Sequence, residues 1–285
     1  MNNPWLDRRV VAFAHQGGSF EGPSSTIHAI VAAREHGANA IELDVHATKD
    51  RALVVCHDET VDRTTNRRGE IAQMTLSEIR ELDNAYWWIP GEAVTVGRPD
   101  AEYPWRGRAP ADRRFGVATL EEVAIAVPGL PLNLDIKRTA PDVEPYEELL
   151  ANELRRLEIT DDVVVASFSD VAIASFRAVA PDVLTSAATD ETAAFFYAVH
   201  GGTEIPALDV CAFQVPATFG EITVVDEAFI TAAHRAGIAV HVWTINERDE
   251  MERLVDLGVD GIISDTPSVL VDLLNERHVA WDARR

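Results

Sequence analysis

The sequence predicts an α/β protein, a (β/α)8 TIM barrel, on three observations: eight short β-branched runs, helical periodicity after most of them, and a length that suits one such unit. The chain has 285 residues, of which 47% are hydrophobic, and single barrels run to roughly 250 residues. The strand candidates are Val10–Ala14, Ala40–Val45, Leu132–Ile136, Val163–Ala166, Val183–Ala187, Val210–Val215, Ala239–Trp243 and Gly261–Ser264. Helical periodicity marks Thr26–Glu35, Glu144–Leu157, Val171–Val179, Asp226–Ala236 and Glu247–Leu257. Thr75 with Glu78 and Thr119 with Glu122 fit capping boxes, and Gly37, Gly237 and Gly258 stand where left-handed caps close helices. Alternation of strand and helix implies parallel pairing. A doubly wound open sheet is the alternative, and the count of eight favours closure.

Two stretches interrupt the alternation. After the second strand the chain turns at Lys49-Asp50-Arg51 and returns as Ala52–His57, a hairpin signal that should bring His57 roughly opposite Asp44. Residues 60–115, rich in Gly, Pro, Arg and Trp, are too long for a loop and read as a small insertion within a single domain spanning 1–285. The insertion's aromatics, Tyr86-Trp87-Trp88 and Trp105, fit equally a local core or the wall of a pocket. Asp62 and Arg63 should pair to brace it.

Composition narrows the partners. Lys plus Arg is 25 and Asp plus Glu is 47, a net charge of −22 that disfavours nucleic acid and anionic membranes. No apolar run reaches the ~18 residues of a spanning helix, and no signal-peptide h-region follows Arg8-Arg9. A cytoplasmic protein with no stable membrane anchor is expected, with Cys56 and Cys211 as buried free thiols. Gly17-Gly18 lacks the spacing and the lysine of a nucleotide-binding loop.

Chemistry-bearing residues fall at strand ends. His15 ends the first strand, Glu42 and Asp44 share one face of the second, and Asp135 and Lys137 share one face of the third. Three carboxylates with no thiolate suit a hard divalent cation, Mg²⁺ or Ca²⁺ and also Mn²⁺. Paired histidines, His15 and His57, suit acid–base work near neutral pH, and Lys137 offers a point charge to a phosphoryl oxygen. Phe168 and Trp243, at the ends of later strands, are candidate walls for substrate. The other histidines read as surface or helix-packing groups, with His46, next along from Asp44, the one to watch.

At these residues the chain resembles the glycerophosphodiester phosphodiesterase family. The resemblance rests on Ala14-His15-Gln16-Gly17-Gly18, Ile41-Glu42-Leu43-Asp44-Val45, Val54-Val55-Cys56-His57-Asp58, Asp62-Arg63-Thr64-Thr65, Leu132-Asn133-Leu134-Asp135-Ile136-Lys137, Val242-Trp243-Thr244-Ile245-Asn246 and the run from Gly258 to Pro267. It implies one divalent metal on Glu42, Asp44 and Asp135, catalysis by His15 and His57, and substrate contacts from Gln16 and Lys137. The implied reaction cleaves a small-molecule glycerophosphodiester to glycerol 3-phosphate and an alcohol. Three positions depart from the family pattern: Gln16 replaces an arginine, Ser24 a glutamate, and Asp135 a glutamate. If the arginine and glutamate pair in the family, losing both leaves no unpaired buried charge, but glutamine cannot supply the lost cation near a phosphate. Two further functions compete: a lysophospholipase D-like hydrolase of a larger lipid diester, favoured by the aromatic insertion, and a catalytically impaired phosphoester-binding barrel, favoured by Gln16 and Ser24.

Overall fold

The computed structural model describes residues 3–281. Among them, eight parallel strands alternate with eight helices: β1 Val11–His15, α1 Ile27–His36, β2 Ala40–Ala47, α2 Leu120–Ala126, β3 Leu132–Ile136, α3 Glu147–Arg156, β4 Val163–Ala166, α4 Asp170–Val179, β5 Leu184–Thr185, α5 Thr189–Gly201, β6 Ala212–Pro216, α6 Glu227–Arg235, β7 Ala239–Trp243, α7 Arg248–Leu257, β8 Gly261–Ser264 and α8 Pro267–Glu276. The sheet runs β6-β7-β8-β1-β2-β3-β4-β5, and a single parallel bridge, Ser186 to Ala212, closes it. This is the expected TIM barrel. The weak seam lies at β5, where only two residues keep strand geometry.

Local signals set the element ends. Thr26 accepts from the Ala29 amide and starts α1, while Gly37 ends it in the left-handed conformation. Both expected capping boxes form, Thr75 with Glu78 and Thr119 with Glu122. Apolar faces of the helices cover the outside of the strands. Inside the barrel, side chains alternate inward, and Val11, Phe13, Ala40, Val164, Ala212, Ala239 and Ile263 fill the lower layers. A short helix, Pro4–Asp7, plugs the amino end. Its Trp5 is fully buried, stacks on Phe13 at 5.9 Å between centroids and meets His241 edge-on at 5.6 Å. His241 is therefore a barrel-interior residue rather than a surface one, and burial pushes its imidazole down to about 3, so it stays neutral. Because Trp5 seals one end of the barrel, Trp5→Ala should cost ~3–5 kcal/mol. Urea unfolding measures this, and a loss near zero would mean the plug is dispensable.

The hairpin after β2 forms. Leu53–Val55 pairs antiparallel with β2, with Val45 opposite Val55, and the Cys56 amide donates to the Asp44 carbonyl. Asp44 thus lies opposite Cys56, one residue short of the expected His57 register. Residues 60–115 fold into short helical turns and a two-stranded ribbon, Trp88–Ile89 with Ala93–Val94. Their aromatics pack among themselves. Trp105 stacks on Phe115 at 5.1 Å, Arg106 lies over Tyr103, and the buried Trp88 ring donates to the Ser19 carbonyl. Arg63 pairs with Asp58 at 2.6 Å rather than with Asp62, which instead accepts from the Gly69 amide. Cys56 and Cys211 are free and buried, and no helix among the described residues is long and apolar enough to cross a membrane.

Candidate active site

Parallel register brings the strand-end residues together. His15 lies beside Glu42, and Asp44 lies beside Asp135, as Cα partners on adjacent strands. His15, Glu42, Asp44, His57, Asp135, Lys137, Phe168 and Trp243 all line one cavity of about 490 Å³, at the carboxyl end of the strands where barrel sites form.

Each histidine is held by a carboxylate. His15 Nδ1 lies 2.6 Å from Asp265 Oδ1, and Asp265 also accepts from Ser19 Oγ at 2.6 Å and Asn246 Nδ2 at 2.9 Å. Burial works against a charge on His15, but the Asp265 bond and the Glu42, Asp265 and Asp44 carboxylates outweigh it and raise the imidazole to about 9. His57 Nδ1 lies 2.6 Å from Asp58 Oδ1. Burial alone would raise Asp58, yet hydrogen bonds from His57 and Arg63 hold its carboxyl well below the usual carboxylate range. Asp58, Asp265 and Asn246 stand inside the stretches that carry the resemblance, but nothing in their spacing marks them as partners of histidines. For Asp265 the contact spans 250 residues.

The acids share a buried space. Lys137 Nζ lies 2.8 Å from Asp44 Oδ1 and 2.8 Å from Asp135 Oδ2. Burial, followed by the neighbouring Asp44 charge, pushes Glu42 well above its ordinary range. Burial likewise raises Asp135 although Lys137 pulls against it. Asp44 Oδ2 and Asp135 Oδ1 are buried with no hydrogen-bond partner among the described residues. No three His, Cys, Asp or Glu side chains among those residues already converge as a metal nest, because the ammonium of Lys137 stands between the two aspartates. The donor set nevertheless fits a hard divalent cation: three oxygen ligands, two orphaned oxygens and an excess of buried negative charge.

Three expectations change. Gln16, expected to touch substrate, does not line the cavity: its Oε1 accepts from Ser24 Oγ at 2.5 Å, and its Nε2 lies 3.1 Å from His15 Nε2. The cause is local. Gln16 begins a tight turn in the left-handed region at φ 54°, and Gly18, at φ 90°, leaves no room for a Cβ, which would meet Pro267 at 2.8 Å. His46 is buried but faces a separate small space with Glu59 and Arg138, where burial lowers it to about 4. The insertion's aromatics do not line the cavity either. Its apolar walls come instead from Phe168, α5, the Thr218–Thr223 hairpin and Trp243.

A parallel barrel whose charged side chains converge in one cavity at the carboxyl end of its strands is the layout of a TIM-barrel enzyme. Residues 15–269 match the Glycerophosphoryl diester phosphodiesterase family, and the chain belongs to that family. It is 29% identical over 270 residues to the glycerophosphodiester phosphodiesterase of Caldanaerobacter subterraneus, covering 94% of this chain and 99% of that one. It is 28% identical over 281 residues to the glycerophosphodiester phosphodiesterase of Bacillus subtilis, covering 92% and 85%. Its fold is shared by an Oleispira antarctica phosphodiesterase solved in complex with the product sn-glycerol-3-phosphate, at TM-score 0.69 and 21% identity, over 95% of this chain and 99% of that one.

Proposed function

We propose that this protein hydrolyses glycerophosphodiesters to glycerol 3-phosphate and an alcohol, by acid–base catalysis from His15 and His57 with one divalent cation. The observation that carries this is the convergence, in one cavity, of two histidines each oriented by its own carboxylate. Asp58 keeps the His57 Nδ1 proton in place, which leaves Nε2 free to take a proton from the attacking oxygen. His15, whose imidazolium the bond to Asp265 favours, gives a proton to the departing alkoxide, which would otherwise leave at great cost. Lys137 brings positive charge to the phosphoryl group. Glu42, Asp44 and Asp135 would hold the cation, Mg²⁺, Ca²⁺ or Mn²⁺, whose chemistry is to polarise a phosphoryl oxygen and offset developing charge. Membership of the family and the complex of the Oleispira protein with sn-glycerol-3-phosphate support the reading.

The test is a panel of glycerophosphocholine, glycerophosphoethanolamine and glycerophosphoglycerol with each metal. Glycerol 3-phosphate should appear as one product. No turnover on any diester, together with tight product binding, would make the protein a binding barrel instead.

Gln16 and Ser24 touch each other, so the two substituted positions form one unit, as the paired loss of charge requires. Changing only one would place an unpaired charge in a buried pocket. The double variant Gln16→Arg/Ser24→Glu should therefore fold, whereas Ser24→Glu alone should lower thermal stability by ~1–3 kcal/mol. If the double variant raises kcat/KM on glycerophosphocholine about tenfold or more, the natural pair limits that substrate. An unchanged value would show that the pair is neutral for it.

A further inference from the structure

Among the described residues, the cavity takes none of its lining from the insertion, residues 60–115. The insertion instead grips the turn between β1 and α1, residues 16–26, from outside. Three of its donors end on three backbone carbonyls of that turn: the Trp88 indole on Ser19 at 2.8 Å, the Gly91 amide on Phe20 at 2.8 Å and the Asn84 side chain on Ser24 at 2.9 Å. Asn84 is itself fixed, since its Oδ1 accepts from Thr64 Oγ1 at 2.5 Å and its backbone amide donates to the Phe115 carbonyl at 2.9 Å. Phe115 and Trp105 pack on His28 of α1, at 4.6 and 5.0 Å between centroids, so the helix after the turn is held as well. The turn needs such support. Gln16 and Ser25 stand in the left-handed region, at φ 54° and 56°, a costly conformation for residues with a Cβ that persists only where the surroundings impose it.

The same turn reaches both ring nitrogens of His15. Ser19 Oγ donates to Asp265 Oδ1 at 2.6 Å, the oxygen that also faces His15 Nδ1 at 2.6 Å. Ser24 Oγ donates to Gln16 Oε1 at 2.5 Å, and Gln16 Nε2 lies 3.1 Å from His15 Nε2. Each serine thus carries an insertion bond on its carbonyl and a relay to His15 on its hydroxyl. Ser19, Ser24, Asn84 and Trp88 are all buried, an interior in which hydrogen bonds hold geometry more strongly than in water. We infer that Asn84 and Trp88 of the insertion are positioning residues for His15, acting through Ser24–Gln16 and Ser19–Asp265 to fix the orientation of its ring in the cavity. This rests on the proposed reading of His15 as a proton donor and adds the groups that aim it. A proton donor works only within hydrogen-bond reach of the departing oxygen, and a misplacement of about 1 Å costs on the order of a hundredfold. Asn246 holds the other oxygen of Asp265 at 2.9 Å, so loss of the insertion's bonds should tilt the ring without dispersing the charges of the site.

The experiment is a double-mutant cycle on the full chain, assayed with a divalent cation on glycerophosphocholine below the melting temperature of the weakest variant. Asn84→Ala/Trp88→Phe removes both side-chain donors and keeps a ring at position 88. It should lower kcat by about ten- to a hundredfold with KM within about twofold. In a His15→Ala background the same pair should change kcat by less than about twofold, because there is no ring left to aim. Tyr103→Phe is the control: it removes a bond internal to the insertion, to the Thr95 carbonyl at 2.6 Å, and should leave kcat near wild type even where it lowers the melting temperature. If the pair does not fold, Trp88→Phe alone carries the test in the same backgrounds. An unchanged kcat, an equal loss in the His15→Ala background, or an equal loss in Tyr103→Phe would overturn the inference and leave the phosphodiesterase reading intact. Nitrogen-15 NMR of the histidine rings reads the brace without turnover. The two His15 signals, assigned by their absence in His15→Ala, should shift in the pair and stay in place in Tyr103→Phe. If the wild type cleaves no diester, the phosphodiesterase reading fails, and these signals still decide the brace: identical His15 signals in the wild type and the pair sink it.

Discussion

His15→Ala and His57→Ala are each expected to lower kcat by about 10²–10⁴-fold, with KM changed far less. Neither imidazole is needed to hold the fold: both line the cavity, and their carboxylate partners keep other contacts, Asp265 with Ser19 and Asn246, and Asp58 with Arg63. Thermal stability should therefore stay near wild type while turnover collapses. The two losses should not add, because a proton taken and a proton given belong to one reaction coordinate. The carboxylates predict a graded second effect. Asp265→Asn removes a charge-assisted bond that favours the imidazolium of His15. The acid form is then less stabilised, so the basic limb of kcat/KM should move to lower pH, whereas a merely structural role would lower activity equally at every pH. If both histidine variants retain more than a tenth of wild-type kcat, the acid–base scheme is wrong.

Legibility differs between the barrel and its surroundings for physical reasons. β3, β4, β7 and β8 have the bounds that the sequence suggests, because a barrel strand buried on both faces is a short, largely apolar run even where Asn133, Asp135 or His241 points into the interior. β5 shrinks to Leu184–Thr185 because closure is geometric, and no residue type encodes a seam. Helix α5 is hard to read: its apolar residues come as a run, Ala193 to Val199, since it faces both the sheet and the cavity. The acids and histidines of the site were legible because a period of two puts Glu42 with Asp44 and Asp135 with Lys137 on one face. What those groups touch was not. Asp265 reaches His15 only once β8 lies beside β1, and the direction in which Tyr86, Trp87, Trp88 and Trp105 face depends on how the insertion folds, which composition does not record. Gln16 had the right neighbourhood and the wrong direction, because the turn at Gly17-Gly18 swings it toward Ser24.

Stripping divalent cations should abolish turnover, by about three powers of ten if polarisation of the phosphoryl oxygen is worth several kcal/mol, and Mg²⁺, Ca²⁺ or Mn²⁺ should restore it. The electrostatics of the acid cluster carry this expectation. Two unit charges about 4 Å apart interact by ~4 kcal/mol near a protein surface, and three buried carboxylates here face a single lysine and one histidine. The structure meets part of that cost by placing Lys137 between Asp44 and Asp135 and by pushing Glu42 toward its neutral form. A cation on these acids relieves both, so it should also stabilise the fold, by ~2.7 kcal/mol at a hundredfold excess over Kd. A thermal shift on titrating Mg²⁺ or Ca²⁺ reads this without substrate, and it should vanish in Glu42→Gln and shrink in Asp44→Asn. Lys137→Met sharpens the distinction. Without metal it leaves Asp44 and Asp135 facing each other unneutralised, a loss of ~3–5 kcal/mol, and with metal most of that loss should return. Should the melting temperature ignore divalent cations in the wild type and in Lys137→Met alike, the acids are neutralised by lysine and protons alone, and the metal leaves the scheme.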